Sequence, residues 1–370
     1  MTQGWLGMTK TTLKLNLGPQ HPSTHGVLRL ILELEGEKIL SCEPDIGYLH
    51  RGMEKMAEKL SYIQYLPVVD RIDYLAGCFY SELFCRTIEN ALNIELSERD
   101  KNIRVLLLEL NRISSHLLWI GAFLMDLGAV SPFFYSMRER EMVLRFFEKL
   151  TGQRMMYNYF VFGGVRNDIG YIDDIKEIIK ILPNKIKDYE RIITDNPIFL
   201  ARTKNKGILE KSVAANYSIT GVNLRASGIS YDLRQNDYLY KGYEFNPVVL
   251  QGKDAWARYK ARILELKESL NLIRQALDKI SKTKTQAKTF ISPLGIKLPE
   301  GEYYNEIEAP RGLASIYIKS LGDNVPYRLK WRTGSYYSVN LLKKLLLGEF
   351  LNDAIAIAGS LDIILPEVDK

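Results

Sequence analysis

Residues 99–127 read RDKNIRVLLLELNRISSHLLWIGAFLMDL, and their spacing decides the fold class. Ile103, Leu106, Leu110, Ile113, Leu117, Ile120 and Leu124 recur every three or four residues, which puts one apolar stripe along a long helix. Residues 254–282 repeat the pattern with Ile263, Leu266, Leu270, Ile273, Leu277 and Ile280. Three heptads inside a globular chain predict a bundle helix rather than a coiled coil. Between about 52 and 195 the chain keeps this helical period. Pro67 reads as a helix stop, Ser131-Pro132 as an N-cap with a first-turn proline, and Gly152 as a C-terminal stop.

Outward from these helices the period changes. Over 11–43, Leu28, Leu30, Leu32 and Leu34 alternate with Arg29, Ile31, Glu33 and Glu35, and Gly36 opens a turn into a return strand. Residues 300–332 return to short strands broken by Gly and Pro, and 338–358 predict a last amphipathic helix. The fold class is α+β and helix-rich, a central helical bundle with small N-terminal and C-terminal β-sheets. The expected organisation is a β-rich segment at 1–50, a helical bundle at 51–299 and an α+β segment at 300–370, as one continuous structural unit.

The 370 residues are 46% hydrophobic and 25% charged, the balance of an ordinary globular protein with a buried core. Fifty basic against 44 acidic residues leave a charge of +6 spread along the chain, with no basic stripe interleaved with aromatics, which argues against nucleic acid. Cys42, Cys78 and Cys85 form neither a CxxC pair nor a disulfide framework, the usage of a reducing compartment. The opening residues lack the apolar core of a signal peptide. The longest apolar run, 119–135, is interrupted by Asp126 and Pro132, so no segment is expected to span a membrane.

Chemistry concentrates in three short segments. GPQHPSTHG at 18–26 carries His21 and His25 between prolines and glycines, hence on a turn. A metal pair with HxxxH spacing relies on a helix to align both rings, so a metal is disfavoured here. The nonamer admits a structural histidine or a loop tip presenting imidazole to a ligand. The second segment is LHRGMEK at 49–55. The third is Asp70-Arg71-Ile72-Asp73-Tyr74, which taken alone is a salt-bridged turn. Asp126 closes the run WIGAFLMD, where an acid is paired, hydrogen-bonded or shifted in pKa, unless it is a surface acid at a helix end.

Together with MDLGAVSPFF, FGGVRND, ASGISYDLR, IEAPRG and the ending GSLDIILPEVDK, these segments resemble, in order from about residue 15 to the C-terminus, the 49-kilodalton or D subunits of proton-pumping NADH:quinone oxidoreductases. That family is similar in turn to the large subunits of nickel–iron hydrogenases, which implies a hydrogenase-large-subunit-like fold. Hydrogenases hold their metals with four cysteine thiolates in two CxxC pairs. The matching positions here are Asp73, Ala76, Ile364 and Glu367. None is a soft thiolate ligand, so hydrogen oxidation is rejected and no metal is expected in this chain.

The resemblance implies a quinone as substrate, its headgroup in a pocket shared with a small iron–sulfur subunit that carries the terminal 4Fe–4S cluster. His25 and Tyr74 match the family residues expected to hydrogen-bond the two carbonyls, and Asp126 the acid expected to pair with that histidine. Arg51 matches an arginine near the cluster, and Ile364 and Val368 lie in the segment expected to line the pocket, with plain core packing as the alternative for both. A histidine that the family often carries after G-x-R-M is Met156 here. The other implied partners are peripheral-arm subunits and a membrane-arm subunit forming the quinone channel, placing the chain peripherally on the cytoplasmic face of the inner (plasma) membrane. The rival reading is a scaffold subunit that touches no quinone. The retention of His25, Tyr74 and Asp126 together speaks against it. The electron donor (NADH, ferredoxin or F420) is carried by other subunits.

Overall fold

In the computed structural model, residues 12–19, 26–283 and 295–370 are described. The chain opens with an antiparallel sheet of β1 (Thr12–Leu17), β2 (Arg29–Glu35) and β3 (Lys38–Asp45) in that order. Leu28, Leu30, Leu32 and Leu34 are all buried, as their alternation requires, and Gly36 turns β2 into β3 with φ 62°. Then come α1 (Met53–Ala57), α2 (Tyr62–Val69), α3 (Gly77–Leu92), α4 (Glu98–Asp126) and α5 (Val130–Thr151). A small hairpin of β4 (Phe160–Val161) and β5 (Gly164–Val165) leads into α6 (Ile172–Tyr189), α7 (Pro197–Thr203), α8 (Lys211–Asn216) and α9 (Gly221–Arg225). After α10 (Ala255–Lys282), the strands β6 (Gly301–Ala309), β7 (Gly312–Ser320) and β8 (Arg328–Arg332) form a second antiparallel sheet. The chain closes with α11 (Gly334–Leu345), α12 (Leu351–Ser360) and α13 (Leu365–Val368).

The two helices read from periodicity, α4 and α10, pack against each other at the centre. Their polar positions are buried too. Ser269 and Tyr240 donate to Glu109 at 2.6 Å each, Glu265 lies 3.3 Å from the His116 ring, and Arg225 bridges Glu265 and Glu308. Burial pushes His116 down, which keeps its ring neutral against Glu265. Such a stripe costs desolvation unless each charge meets a partner, and here each does.

Most of the buried apolar side chains of α1–α6, α10 and the β6–β8 sheet form one core. The N-terminal sheet shares a second core with α11, α12 and α13. The two chain ends therefore meet, and the site described below lies near their junction.

Three local expectations need correction. Pro67 does not stop α2, which runs on to Val69, because burial of Tyr65, Leu66 and Val69 holds the last turn against one missing N–H. Helix α5 starts at Val130 with Ala129 as N-cap, so Ser131 and Pro132 are its second and third residues. Its start is set by the preceding turn, where the Ala129 amide reaches back to the Leu124 carbonyl at 2.8 Å and Gly128 adopts φ 90°. Proline is tolerated there because first-turn amides have no intrahelical acceptor. Finally, 338–358 is two helices rather than one. Gly348 (φ 79°) breaks the run, and the exposed backbone pairs with the β3 edge through Gly348 N–Ile39 O, Ile39 N–Glu349 O and Leu351 N–Glu37 O. Gly152 does end α5, in the left-handed conformation with φ 77°.

Candidate functional site

The loop between α2 and α3 carries Asp70-Arg71-Ile72-Asp73-Tyr74. It is not closed by ion pairs among its own residues. Asp70 is buried, accepting from the Ser81 hydroxyl and from the Asn158 amide at 2.8 Å. Asp73 caps its own turn through the Leu75 amide at 3.0 Å and lies 3.0 Å from Arg311, whose guanidinium comes from the β6–β7 turn. Asn111 on α4 clamps the loop, donating to the Leu75 carbonyl at 2.8 Å and accepting from the Cys78 amide at 3.2 Å. Gly77 sits so close to Asp70 that any side chain there would press on it.

The C-terminal segment meets this loop from the other side. After α12 the turn 360–362 is held by Arg258 on the Ser360 hydroxyl (2.8 Å), Arg262 on the Ser360 carbonyl (3.2 Å) and Asn223 on the Leu361 carbonyl (3.0 Å). Asp362 adopts φ 58°, a left-handed conformation uncommon for a side-chain-bearing residue. Its carboxylate lies 3.6 Å from Arg311 and 3.8 Å from Arg262. Glu367 accepts from Tyr80 (2.7 Å), the Gly334 amide (3.0 Å) and the Ser335 hydroxyl. Gly334 is required, because a Cβ there would stand 2.2 Å from the Arg311 carbonyl oxygen. Asp369 then accepts from the amides of Gly47 and Leu49, stitching the C-terminus to the LHRG segment.

Where loop, C-terminal turn and α4 converge lies a cavity of about 290 Å³ lined by Gly26, Tyr74, Leu75, Leu118, Trp119, Ala122, Gly359, Asp362, Ile363 and Ile364. Its walls are mostly apolar, with two polar groups, the Tyr74 phenol and the Asp362 carboxylate, among them. Trp119 is fixed by its indole N–H on the Gly359 carbonyl (2.8 Å) and by Arg262 over its ring (4.3 Å). Burial raises the Tyr74 phenol, with Asp73 adding to the effect, so Tyr74 is a neutral donor at physiological pH.

The structure thus brings Tyr74 and Ile364 together on one cavity. His25 lies outside the described residues, as does His21. Gly26, the residue that follows His25 in the chain, lines the cavity. Asp126 is the last residue of α4, half-buried and one turn beyond the lining residue Ala122 on the same helical side. Val368 is buried in the second core and is not among the residues lining this cavity. Its neighbours there are the apolar side chains of the N-terminal sheet and α11.

Arg51 donates to the carbonyls of Arg71 (2.8 Å) and Pro366 (3.0 Å), tying the two segments from outside. Met156 (φ 58°) lines a separate open cavity of about 430 Å³ with Pro67, Arg71, Met155 and Arg166 among its walls. Arg71 therefore links Arg51 to the face that carries Met156.

Of the four positions that match hydrogenase thiolates, Asp73 is held by Arg311, Glu367 by three donors, and Ala76 and Ile364 offer no ligand. These residues do not fit a nickel–iron centre. Among the described residues no group of three His, Cys, Asp or Glu is placed to hold a metal ion, and no helix is long and apolar enough to cross a membrane. Sequence reasoning did not single out Arg311 or Asp362 as site residues. Both lie in the quoted segments IEAPRG and GSLDIILPEVDK, where Glu308, Glu367, Asp369 and Lys370 are charged as well, so charge alone does not single them out.

A helix-rich α+β chain with a small antiparallel sheet at each end and this junction at its heart defines the hydrogenase-large-subunit-like class. The family model described as respiratory-chain NADH dehydrogenase, 49 Kd subunit, matches residues 126–370. A protein of Geobacillus kaustophilus (strain HTA426), named as the D subunit of NADH-quinone oxidoreductase, is 46% identical over 360 residues, 96% of this chain and 97% of that protein. Proteins of the same name from Geobacillus thermodenitrificans (strain NG80-2) and Bacillus cytotoxicus are 45% and 44% identical, each over 96% of this chain and 98% of its own length. The chain belongs to the family of 49-kilodalton, or D, subunits of respiratory-chain NADH dehydrogenase.

Proposed function

We propose that this chain forms the headgroup end of the quinone site in a proton-pumping complex I-type oxidoreductase. The observation that carries the reading is the cavity bounded by Tyr74, Asp362 and Ile364 at the junction matching the hydrogenase metal site. Its volume of about 290 Å³ lies just below the range for small-molecule sites, roughly 300–1,000 Å³, and suits one ring rather than a long tail. Apolar walls with two polar groups are what a planar ring with two carbonyls needs.

Reducing a quinone to a quinol takes two electrons and two protons, so each carbonyl oxygen needs a donor as charge develops on it. Tyr74 supplies one. His25, one residue before a lining glycine, supplies the other, and Asp126 favours its imidazolium form. The electrons come from the terminal 4Fe–4S cluster of a small iron–sulfur partner subunit. That partner covers the face carrying Arg51 and Met156, where Arg51 stabilises the reduced, more negative cluster. Further peripheral-arm subunits and a membrane-arm subunit complete the assembly on the cytoplasmic side of the plasma membrane, and proton translocation belongs to the membrane arm. Exposed apolar side chains on α5 and α7 and in the turns beside them (Val130, Phe134, Ile192, Ile198) support a subunit whose surface is covered by others.

The test is chemical protection in the assembled complex. A quinone-site inhibitor should shield Tyr74 and His25 from tyrosine- and histidine-directed reagents, and excess quinone should compete with that inhibitor. Equal modification with and without inhibitor would overturn the reading.

A further inference from the structure

Arg262 on α10 is fully buried, yet it is not placed as a charge-balancing arginine. Arg104 and Arg225, buried in the same bundle, lie 2.6 Å from Glu89 and 2.5 Å from Glu265. Arg262 stands 3.8 Å from Asp362, and its Nε has no hydrogen-bond partner among the described residues. Its Nη groups donate instead to the carbonyls of Arg258 (3.1 Å), Ser360 (3.2 Å) and Leu361 (3.4 Å) and to the Asn223 side chain (3.2 Å).

Those contacts fall where the cavity wall is made. Helix α12 ends at Ser360, and the last carbonyls of a helix lack intrahelical acceptor bonds. Three successive carbonyls here are each held by a side chain. Trp119 donates to Gly359 (2.8 Å), Arg262 to Ser360 and Leu361, and Asn223 to Leu361 (3.0 Å). A cation at that helix end also suits the helix dipole. The chain then reverses at Asp362 (φ 58°) and supplies Asp362, Ile363 and Ile364 to the cavity. On the other side, the same guanidinium covers the Trp119 ring at 4.3 Å, and Phe123 stacks on that ring at 5.0 Å with 13° between the planes. Trp119 lines the cavity as well, whereas Arg262 stands behind the lining. A guanidinium can hold both parts because its face meets an indole while its edge donates to carbonyls. An ammonium has a point of charge and no face.

We infer that Arg262 is a positioning residue of the quinone site: it locks Trp119 and the 359–364 turn into one rigid wall and so sets the shape that receives the headgroup. This rests on the quinone reading above and deepens it. Arg262 touches no reacting atom, so its effect reaches the substrate through the wall alone. A wall that fits ground state and transition state alike acts on binding, which places the effect in KM rather than in kcat.

The experiment uses the assembled complex with Arg262→Lys, Trp119→Phe and the double variant. Arg262→Lys keeps the charge and loses the planar face and the fork. It should raise KM for quinone about tenfold and weaken a quinone-site inhibitor by a similar factor, with kcat within about twofold of wild type. Trp119→Phe should show the same split. Because both act on one wall, the double variant should raise KM no further than the larger single effect. Asn223→Ala removes one acceptor of Arg262 and one donor to Leu361 without changing any charge, and it should raise KM in the same direction. It decides the matter if Arg262→Lys does not assemble. A residue that only supports folding would lower the yield of complex and leave KM unchanged. Wild-type KM in Arg262→Lys, or in Asn223→Ala where the lysine variant fails to assemble, would overturn the inference. So would a fall in kcat at unchanged KM, or single-variant factors that multiply in the double variant. If quinone does not compete with the inhibitor in the wild type, the substrate reading falls instead, whatever the variants do.

Discussion

Replacing Tyr74 with Phe removes one oxygen and leaves the ring, so the packing against Leu75, Trp119 and Ile364 round the cavity survives. The change in folding stability should be small, below about 0.5 kcal/mol, because no large buried group is lost. The cost should fall on catalysis. Tyr74 is half-buried and held neutral, so its hydroxyl donates in a partly desolvated site to an oxygen that gains negative charge. A donor of that kind is worth about 2–3 kcal/mol in the transition state, or about 30- to 150-fold in kcat/KM. The assay is quinone reductase turnover of the assembled complex at subsaturating quinone, with electron entry into the complex measured in parallel. Electron entry should be unchanged. If KM rises and kcat holds, Tyr74 binds ground state and transition state equally and delivers no proton. Turnover indistinguishable from wild type at low quinone would refute the placement of the headgroup against Tyr74.

His25→Ala should lower turnover with assembly intact, and Tyr74 should not rescue it, since the two serve opposite carbonyls. Asp126→Asn should reproduce part of the His25 loss and move the alkaline limb of the pH–rate profile, where imidazolium is lost, to lower pH, because a neighbouring carboxylate favours imidazolium. An unchanged profile would make Asp126 a helix-end surface acid. With Met156 in place of a titratable group, the partner cluster's potential should be nearly independent of pH. Met156→His should introduce a slope approaching about 59 mV per pH unit by EPR redox titration, and a full slope already present in the wild type would contradict this. Burial pushes Asp70 up to about 6 from 3.8, so its folded form binds a proton more tightly than the unfolded chain. The stability it contributes is present below about pH 4 and is lost as pH rises through about 6, by roughly 3 kcal/mol in all. Asp70→Asn should flatten that part of the stability–pH curve in denaturant titrations.

Much of this was legible in residue order. The two long helices follow from a period of three and four, and the N-terminal strands from a period of two. Both are local properties that burial reads directly. What periodicity does not show is that α4 and α10 are buried on their polar positions too. Glu109, Arg112 and His116 look like a solvated face until Glu265, Arg225 and Ser269 arrive from elements more than a hundred residues away. The break at Gly348 escaped for the same reason. Residues 338–358 keep an amphipathic pattern across it, and the cause is a backbone pairing with β3 some 300 residues earlier. At the site, Tyr74 and Ile364 came from a resemblance, since a tyrosine beside two acids has no signature of its own. Arg311 was missed because an ion pair across 238 positions leaves no local trace, whereas Asp73 looked self-paired with Arg71. In fact Arg71 turns outward to the Pro67 carbonyl.

The junction shows how a backbone of this class can stand without the ligands of a metal site. Thiolates hold a metal because their negative charge meets a multiply charged cation at bonding distance. At the matching positions this chain has two hard carboxylates, a methyl group and a branched aliphatic chain. The negative charge is partly retained, at Asp73 and Glu367, but the cation that faces Asp73 is a guanidinium of unit charge on a rigid turn. That turn is set by Gly312, which a Cβ would drive into Thr220, and by Gly334, which a Cβ would drive into the Arg311 carbonyl. The cation is therefore held in place between Asp73 and Asp362. Ala76 and Ile364 do the complementary work by removing ligands, and Ile364 supplies apolar wall to the cavity. Loss of the thiolates thus does more than delete a metal: it leaves a mostly apolar cavity whose wall carries the Tyr74 phenol and the Asp362 carboxylate.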